Sequence, residues 1–357
     1  MENKIVRLFL EIVQIDSPSG EEEAMGLYIE SWLKKNGFSY RKDILGSILT
    51  TSFDNPQLML CAHMDTVEPG RGIKPIIKDG FIQSGQDTIL GADNKAAISA
   101  MLCALEEYKE KHGKMPNVEL LFTVREETGG GAEFFPFEFT KSKRGITFDY
   151  SKSFGRIAIS SPFIYNFRAK FIGKASHASR PEEGKNSLIP AVNFILQVPQ
   201  GKLDAGKTTI NIGQVNSGTG INIVPEETLV LGEVRSSDKK LFDDYLTFIK
   251  NKAEEISEEA GVELQYQLDG YCAGYCYSED DSFIQKIKSV YESMSIDTFF
   301  DSSTVISDAN SLVGSGIQAV NLADGCEYAH TMRERVSVDN LCKLEKIVLN
   351  MIEKFVE

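Results

Sequence analysis

The chain has 357 residues, 42% of them apolar, and a formal net charge of −14 at pH 7. That length exceeds what one hydrophobic core organises, so a large domain with a smaller companion is expected. An acidic chain without clustered Lys and Arg is a poor binder of nucleic acid, and no stretch approaches the roughly 20 apolar residues that a membrane-spanning helix needs. The opening run Met1-Glu2-Asn3-Lys4-Ile5-Val6-Arg7 lacks the architecture of a signal peptide, and the six cysteines are scattered without a CxxC pair. Both observations point to the reducing cytoplasm.

Helical periodicity predicts helices over residues 5–13, 21–35 and 94–111, the second entered through Ser19 with Glu22 three residues on. Short apolar runs over 58–63 and 118–124 read as buried strands. Strands alternating with helices argue for a mostly parallel sheet sandwiched by helices. Between residues 161 and 272 the pattern becomes period two, with Tyr165, Phe167, Ala169 and Phe171 alternating with Asn166, Arg168 and Lys170. Residues 262–268 alternate likewise, and helical stretches over 187–196 and 239–259 give this segment a β-α-β-β-α-β, ferredoxin-like order. The expected architecture is an α/β domain of residues 1–160 and 273–357, interrupted by an α+β insert of residues 161–272.

Chemistry gathers at the ends of the predicted strands. His63-Met64-Asp65 ends the first, where open α/β sheets place ligands, although an isolated pair of this kind reads more simply as a stabilising hydrogen bond. Asp93 stands where a loop enters a helix and by itself reads as an N-cap. Glu126 and Glu127 leave the strand over 118–124, and neighbouring carboxylates at such an exit are ordinarily solvated. Asp149 follows Gly145-Ile146-Thr147-Phe148, and His330, one of four histidines, follows the apolar residues 319–323. Imidazoles and carboxylates presented to one sheet edge form the donor mixture that zinc favours.

Taken in order, the blocks Ala62-His63-Met64-Asp65-Thr66, Leu90-Gly91-Ala92-Asp93-Asn94-Lys95-Ala96, Glu126-Glu127, Asp149, Ser176-His177-Ala178, Asn222-Ile223-Val224-Pro225, Arg235-Ser236 and His330-Thr331 with Glu334 carry a resemblance. Over nearly its whole length the chain resembles the co-catalytic zinc peptidase family that includes peptidase T, aminoacylase and glutamate carboxypeptidases. The runs Asp87-Thr88-Ile89-Leu90-Gly91-Ala92-Asp93 and Glu127-Thr128-Gly129-Gly130-Gly131-Ala132 look most like peptidase T.

The resemblance implies two divalent metal ions, His63 and Asp149 on one, Glu127 and His330 on the other, and Asp93 bridging through a cis bond to Asn94. It implies Glu126 as the proton shuttle, Asp65 as the residue orienting His63, and His177 as the oxyanion-stabilising group. Asn222 and Arg235 would contact the substrate, Arg235 gripping a carboxylate. The insert would act as a lid and pair with its twin in a homodimer, presenting His177 to the neighbour's metals. Two departures stand out: Ser302-Ser303-Thr304-Val305-Ile306 replaces glycines before Ser307-Asp308-Ala309-Asn310, and Arg125 precedes the Glu pair, where it is expected to pair with Glu126 or Asp149. The function so implied is hydrolysis of short peptides by a tripeptide aminopeptidase. The alternatives are an N-acyl amino acid deacylase or carboxypeptidase of the same family, and a catalytically silent peptide-binding protein.

Overall fold

The computed structural model describes residues 3–129 and 131–356; Met1, Glu2, Glu357 and Gly130 of the glycine run lie outside the described residues. The chain divides into two compact units, Met1–Ile159 with Tyr277–Glu357 and Ser160–Cys276.

In the first unit Val118–Thr123, Leu58–His63, Arg144–Tyr150 and Gln318–Ala323 lie side by side and parallel, in that order. Ile48–Thr50 and Tyr40–Lys42 extend one side antiparallel, and Arg156–Ser161 the other. Helices Lys4–Ile12, Ala92–His112, Ser282–Ser293 and Val338–Val356 share a core with these strands that includes Phe9, Leu60, Met101, Phe122, Phe148 and Ile347. Burial of the parallel strands is what makes Leu58–His63 and Val118–Thr123 nearly unbroken apolar runs. Because the strands are parallel, His63, Thr123 and Asp149 reach the same edge of the sheet.

A small antiparallel sheet of Cys326–Glu327, Arg335–Ser337, Phe81–Ser84 and Pro75–Lys78 stands apart from the main one. Its first two strands form a hairpin with residues 328–334 as its loop. His330 therefore belongs to a hairpin loop and not to the end of a main-sheet strand.

Two expected helix caps are corrected. The second helix spans Glu23–Lys35 and Ser19 does not cap it; the Ser19 hydroxyl donates instead to Asp65 Oδ2 at 2.7 Å. Asp93 is not an N-cap either. Helix Ala92–His112 follows Gly91 at φ 71°, and Asp93 has a non-helical backbone (φ −81°, ψ 105°) with its carboxylate beside His63 and His330.

The second unit is an antiparallel sheet in the order Gly201–Leu203, Thr208–Ser217, Glu227–Ser236, Phe163–Ile172, Glu263–Cys272. Helices Leu188–Gln197 and Lys239–Ala260 bury Phe167, Ala169, Phe171, Val230 and Val234 with Phe194, Phe242 and Ile249, which explains the period-two pattern. Gly201–Leu203 is an edge strand that the sequence pattern does not announce. The fold is thus α/β with a mostly parallel sheet and an inserted α+β sheet. Among the described residues no helix is long and apolar enough to cross a membrane.

Candidate metal centre

Two groups of side chains converge at the edge where the parallel strands end. His63, Asp93 and Asp149 form one, and Asp93, Glu127 and His330 the other, with the ligand atoms of each group within 4.8 Å of one another. His63 Nε2 is 3.1 Å from Asp93 Oδ1 and 3.9 Å from Asp149 Oδ1. His330 Nε2 is 3.3 Å from Asp93 Oδ2 and 2.9 Å from Glu127 Oε1. Asp93 therefore turns one oxygen to each histidine. Glu127 Oε1 is buried, with His330 Nε2 as its close polar neighbour. Ligand-type atoms crowded this closely suit a divalent cation between them, and imidazole with carboxylate is a chemically fitting set.

Backbone geometry holds each member. The Asp93–Asn94 peptide bond is cis, and Asn94 Nδ2 donates to the Phe148 carbonyl at 3.0 Å. His63 Nδ1 lies 3.0 Å from the Asp65 carbonyl oxygen and 3.4 Å from Asp65 Oδ1, so it donates there and leaves Nε2 free to face the cluster. The Asp65 carboxylate does more than orient His63. It accepts the backbone N–H groups of Glu126 and Glu127 at 3.0 and 3.1 Å, which sets the tight turn Glu126–Thr128.

Three further residues brace this centre: Asn321 escapes sequence reasoning, and Asp308 and Glu334 stand in its motif blocks without a role. Asn321 brackets Asp149, accepting its N–H at 2.9 Å and donating to its carbonyl at 2.7 Å. The signal was there, since Asn321 is a polar side chain inside the apolar strand Gln318–Ala323. Asp308 is buried and accepts from the Thr123 hydroxyl and, at 3.6 Å, from the Cys61 thiol. Glu334 accepts the N–H groups of Leu90, Gly91 and Asp93 at 2.7–2.9 Å. Arg125 is a correction: it forms no ion pair with Glu126 or Asp149 among the described residues, and its backbone N–H donates to Glu22 Oε1 at 3.0 Å.

The centre carries more negative charge than it neutralises. Burial pushes the Glu126 carboxyl up to about 8 against the pull of His63, with Asp308, Glu127 and Asp93 adding to the rise. Burial, then Asp93 and Glu126, holds Asp149 well above the carboxylate range. Burial also acts to raise Asp93, but the two histidines outweigh it and keep the carboxyl well below its usual value. Hydrogen bonds to Asp93 and Glu127 lift His330 to about 10. Crowded carboxylates and histidines that cling to protons are what divalent cations would relieve.

The remaining sequence candidates lie in the second unit. His177 is exposed, with Nδ1 2.7 Å from Ser179 Oγ, and its segment pairs with that of Asn222 through Ala178 N–H to the Asn222 carbonyl at 2.9 Å. Asn222 precedes strand Glu227–Ser236, and Arg235 sits near its other end. There the guanidinium grips Glu233 with Nε at 2.5 Å and Nη2 at 2.8 Å.

Residues 164–261 match the peptidase dimerisation domain of the M20 peptidases. The whole chain superimposes on an aminopeptidase PepT from Bacillus cereus with a TM-score of 0.88 and 31% identity, covering 99% of this chain and 98% of that one. A tripeptidase from Staphylococcus aureus is similar at 30% identity and a TM-score of 0.85, covering 98% and 97%. The uncharacterised YqjE of Bacillus subtilis is 30% identical over 366 residues, 99% of this chain and 98% of the relative. With these full-length relatives and two groups of metal-binding type sharing one aspartate, the chain belongs to the M20 metallopeptidase family, on its peptidase T-like branch.

Proposed function

We propose that the protein is a dinuclear aminopeptidase of the cytoplasm that removes the N-terminal residue from short peptides, tripeptides foremost. The observation that carries this reading is Asp93, which offers one oxygen to the His63–Asp149 group and the other to the Glu127–His330 group. His63 and Asp149 would hold one cation, Glu127 and His330 the other, and Asp93 both, with zinc suited to the donors. Two such cations supply Lewis acidity at the scissile carbonyl and acidify the attacking water.

Glu126 is the proton carrier in this scheme. Among the described residues no hydrogen bond or ion pair occupies its carboxyl, while its backbone is fixed by Asp65. A carboxyl lifted towards neutral pH both takes a proton from water and returns it to the leaving amine. His177 would meet the oxyanion, Asn222 the substrate backbone and Arg235 a terminal carboxylate. The names of the B. cereus and S. aureus relatives support the aminopeptidase and tripeptide assignments, and the match to a dimerisation domain supports a homodimer through the insert.

Hydrolysis of a di-, tri- and tetrapeptide panel with free and blocked termini tests the reading, with an arm in which a chelator strips metal before assay. Cleavage of tripeptides that requires a free amine and returns with Zn²⁺ is expected. Preferential cleavage of N-acyl amino acids would replace it with the deacylase reading, and release of C-terminal residues with the carboxypeptidase reading. Absence of turnover with any added metal would leave a peptide-binding protein.

A further inference from the structure

The two groups that meet at Asp93 are built on different foundations. His63 and Asp149 come from adjacent parallel strands of the main sheet, Leu58–His63 and Arg144–Tyr150. His330 comes from the loop over residues 328–334, where its backbone takes a φ of 63° and its side chain is half exposed. The base of that hairpin is secured by the pairing of Glu327 with Arg335 and of Arg335–Ser337 with Phe81–Ser84. Glu334 lies in the same loop and is 2% exposed.

Its two carboxyl oxygens sit in a backbone cradle. Oε2 accepts the N–H groups of Leu90 at 2.8 Å and Gly91 at 2.7 Å, and Oε1 accepts that of Asp93 at 2.9 Å. Gly91 has to enter the left-handed region, at φ 71°, for successive amides to converge in this way. The loop is braced from within by the Glu334 N–H on the Thr331 carbonyl and the Thr331 hydroxyl on the Tyr328 carbonyl. One loop therefore grips Asp93 twice, through His330 at the side-chain oxygen and through Glu334 at the backbone amide.

We infer that Glu334 is a positioning residue that makes the Asp93–Glu127–His330 cation position, joining the His330 loop to the Asp93 loop, while the His63–Asp149 position, whose shared Asp93 stays tied to the sheet through Asn94 and the Phe148 carbonyl, stands without it. The inference rests on the two-cation reading and deepens it. Loss of the Glu334 carboxylate frees the His330 loop to move relative to Asp93, so the second ion is weakened selectively. Partners behind ligands typically contribute 10–100-fold to metal affinity.

The test is titration of the metal-stripped full chain with Co²⁺, followed by calorimetry and visible absorption, for wild type, Glu334→Gln and Glu334→Asp. Wild type should take up two ions. Glu334→Gln keeps one acceptor oxygen but turns an amide towards the cradle; Glu334→Asp keeps the charge but falls one methylene short. Both variants should hold one ion within about threefold of its wild-type Kd and bind the second roughly 10–100-fold more weakly. Melting of the metal-free variants should stay close to wild type, because the hairpin base is paired independently. His330→Ala should show the same selective loss by removing the ligand itself. The inference is overturned if both variants bind two ions as wild type does, or if the two ions weaken together with a lowered metal-free melting temperature, which is the mark of a general structural role. A wild type that takes up fewer than two ions overturns the two-cation reading, and this inference with it.

Discussion

The candidate groups of the two units are held in opposite ways. At the strand ends of the first unit, Asp65, Asn321 and Glu334 fix the backbone of Glu126, Glu127, Asp149 and Asp93. In the second unit His177 and Asn222 are exposed on neighbouring segments, and Arg235 is held by a half-buried ion pair to Glu233. Carboxylates that repel one another gather only where surrounding structure over-determines them, so a cation site has to be assembled before the cation arrives. Exposed side chains on such segments can instead be ordered by the substrate, at an entropic cost that binding has to exceed. Substitutions in the first unit should therefore act on metal content or the chemical step, and those in the second on recognition.

The largest expected effect separates two adjacent residues of the first unit. Glu126→Gln should lower kcat by roughly 10²–10⁴ while metal content measured by mass spectrometry stays unchanged, because in the proposed scheme the residue moves protons and ligates nothing. Glu127→Ala should lose one ion from the purified protein along with activity. If Glu126→Gln loses metal and Glu127→Ala retains it, the roles within the pair are reversed.

How much of this was legible in the sequence follows the same division. Parallel strands buried on both faces write themselves as apolar runs ending in polar residues, so His63, Glu126, Glu127 and Asp149 could be placed at one edge from the sequence. His330 was legible as a residue but not in its setting, because a hairpin loop between strands of two and three residues leaves almost no periodic trace. Ser19 shows the limit of local rules: it has the spacing of a helix cap, yet a buried carboxylate 46 residues away competes for its hydroxyl and wins. The grip of Glu334 on amides 241–244 residues distant was beyond any local pattern. The ion pair of Arg235 was nearer to hand, since i and i+2 share a face on a strand.

That ion pair gives the intermediate effect. Arg235→Ala should depress kcat/KM for free tripeptides by roughly 1.5–3 kcal/mol, the scale of a hydrogen bond to a charged group. Amidating the C-terminus should cost wild type a comparable amount and the variant little. Glu233→Gln should act the other way, because Glu233 occupies the prongs that a substrate carboxylate would use. A pair still open to solvent on one side is worth about 1 kcal/mol, so KM should fall only a few-fold, and only for peptides with a free carboxylate. A KM that moves equally for amidated peptides would show that the pair shapes the surface without reading the terminus.

The smallest effect isolates burial from cation chemistry. Glu119, on strand Val118–Thr123, is 3% exposed and accepts the N–H groups of Lys141 and Ser142 at 3.0–3.2 Å. Burial raises its pKa, and those amides only partly oppose the rise. The folded carboxyl thus keeps its proton to higher pH than the unfolded chain, where glutamate titrates near 4.5. Its contribution to stability is fully present below that pH and is lost as pH climbs through the folded value, because the unfolded state releases its proton first. Glu119→Gln abolishes the titration and keeps one acceptor oxygen. Urea denaturation of both proteins should show the variant gaining on wild type as pH rises from about 4.5 towards 8, with turnover on tripeptides unchanged. A stability difference that stays flat with pH would mean that the amides compensate for burial completely. Burial raises the Glu126 carboxyl too, so Glu126→Gln should share the pH-dependent gain in stability, and the loss of turnover that Glu119→Gln does not share isolates what the cation neighbourhood adds to burial.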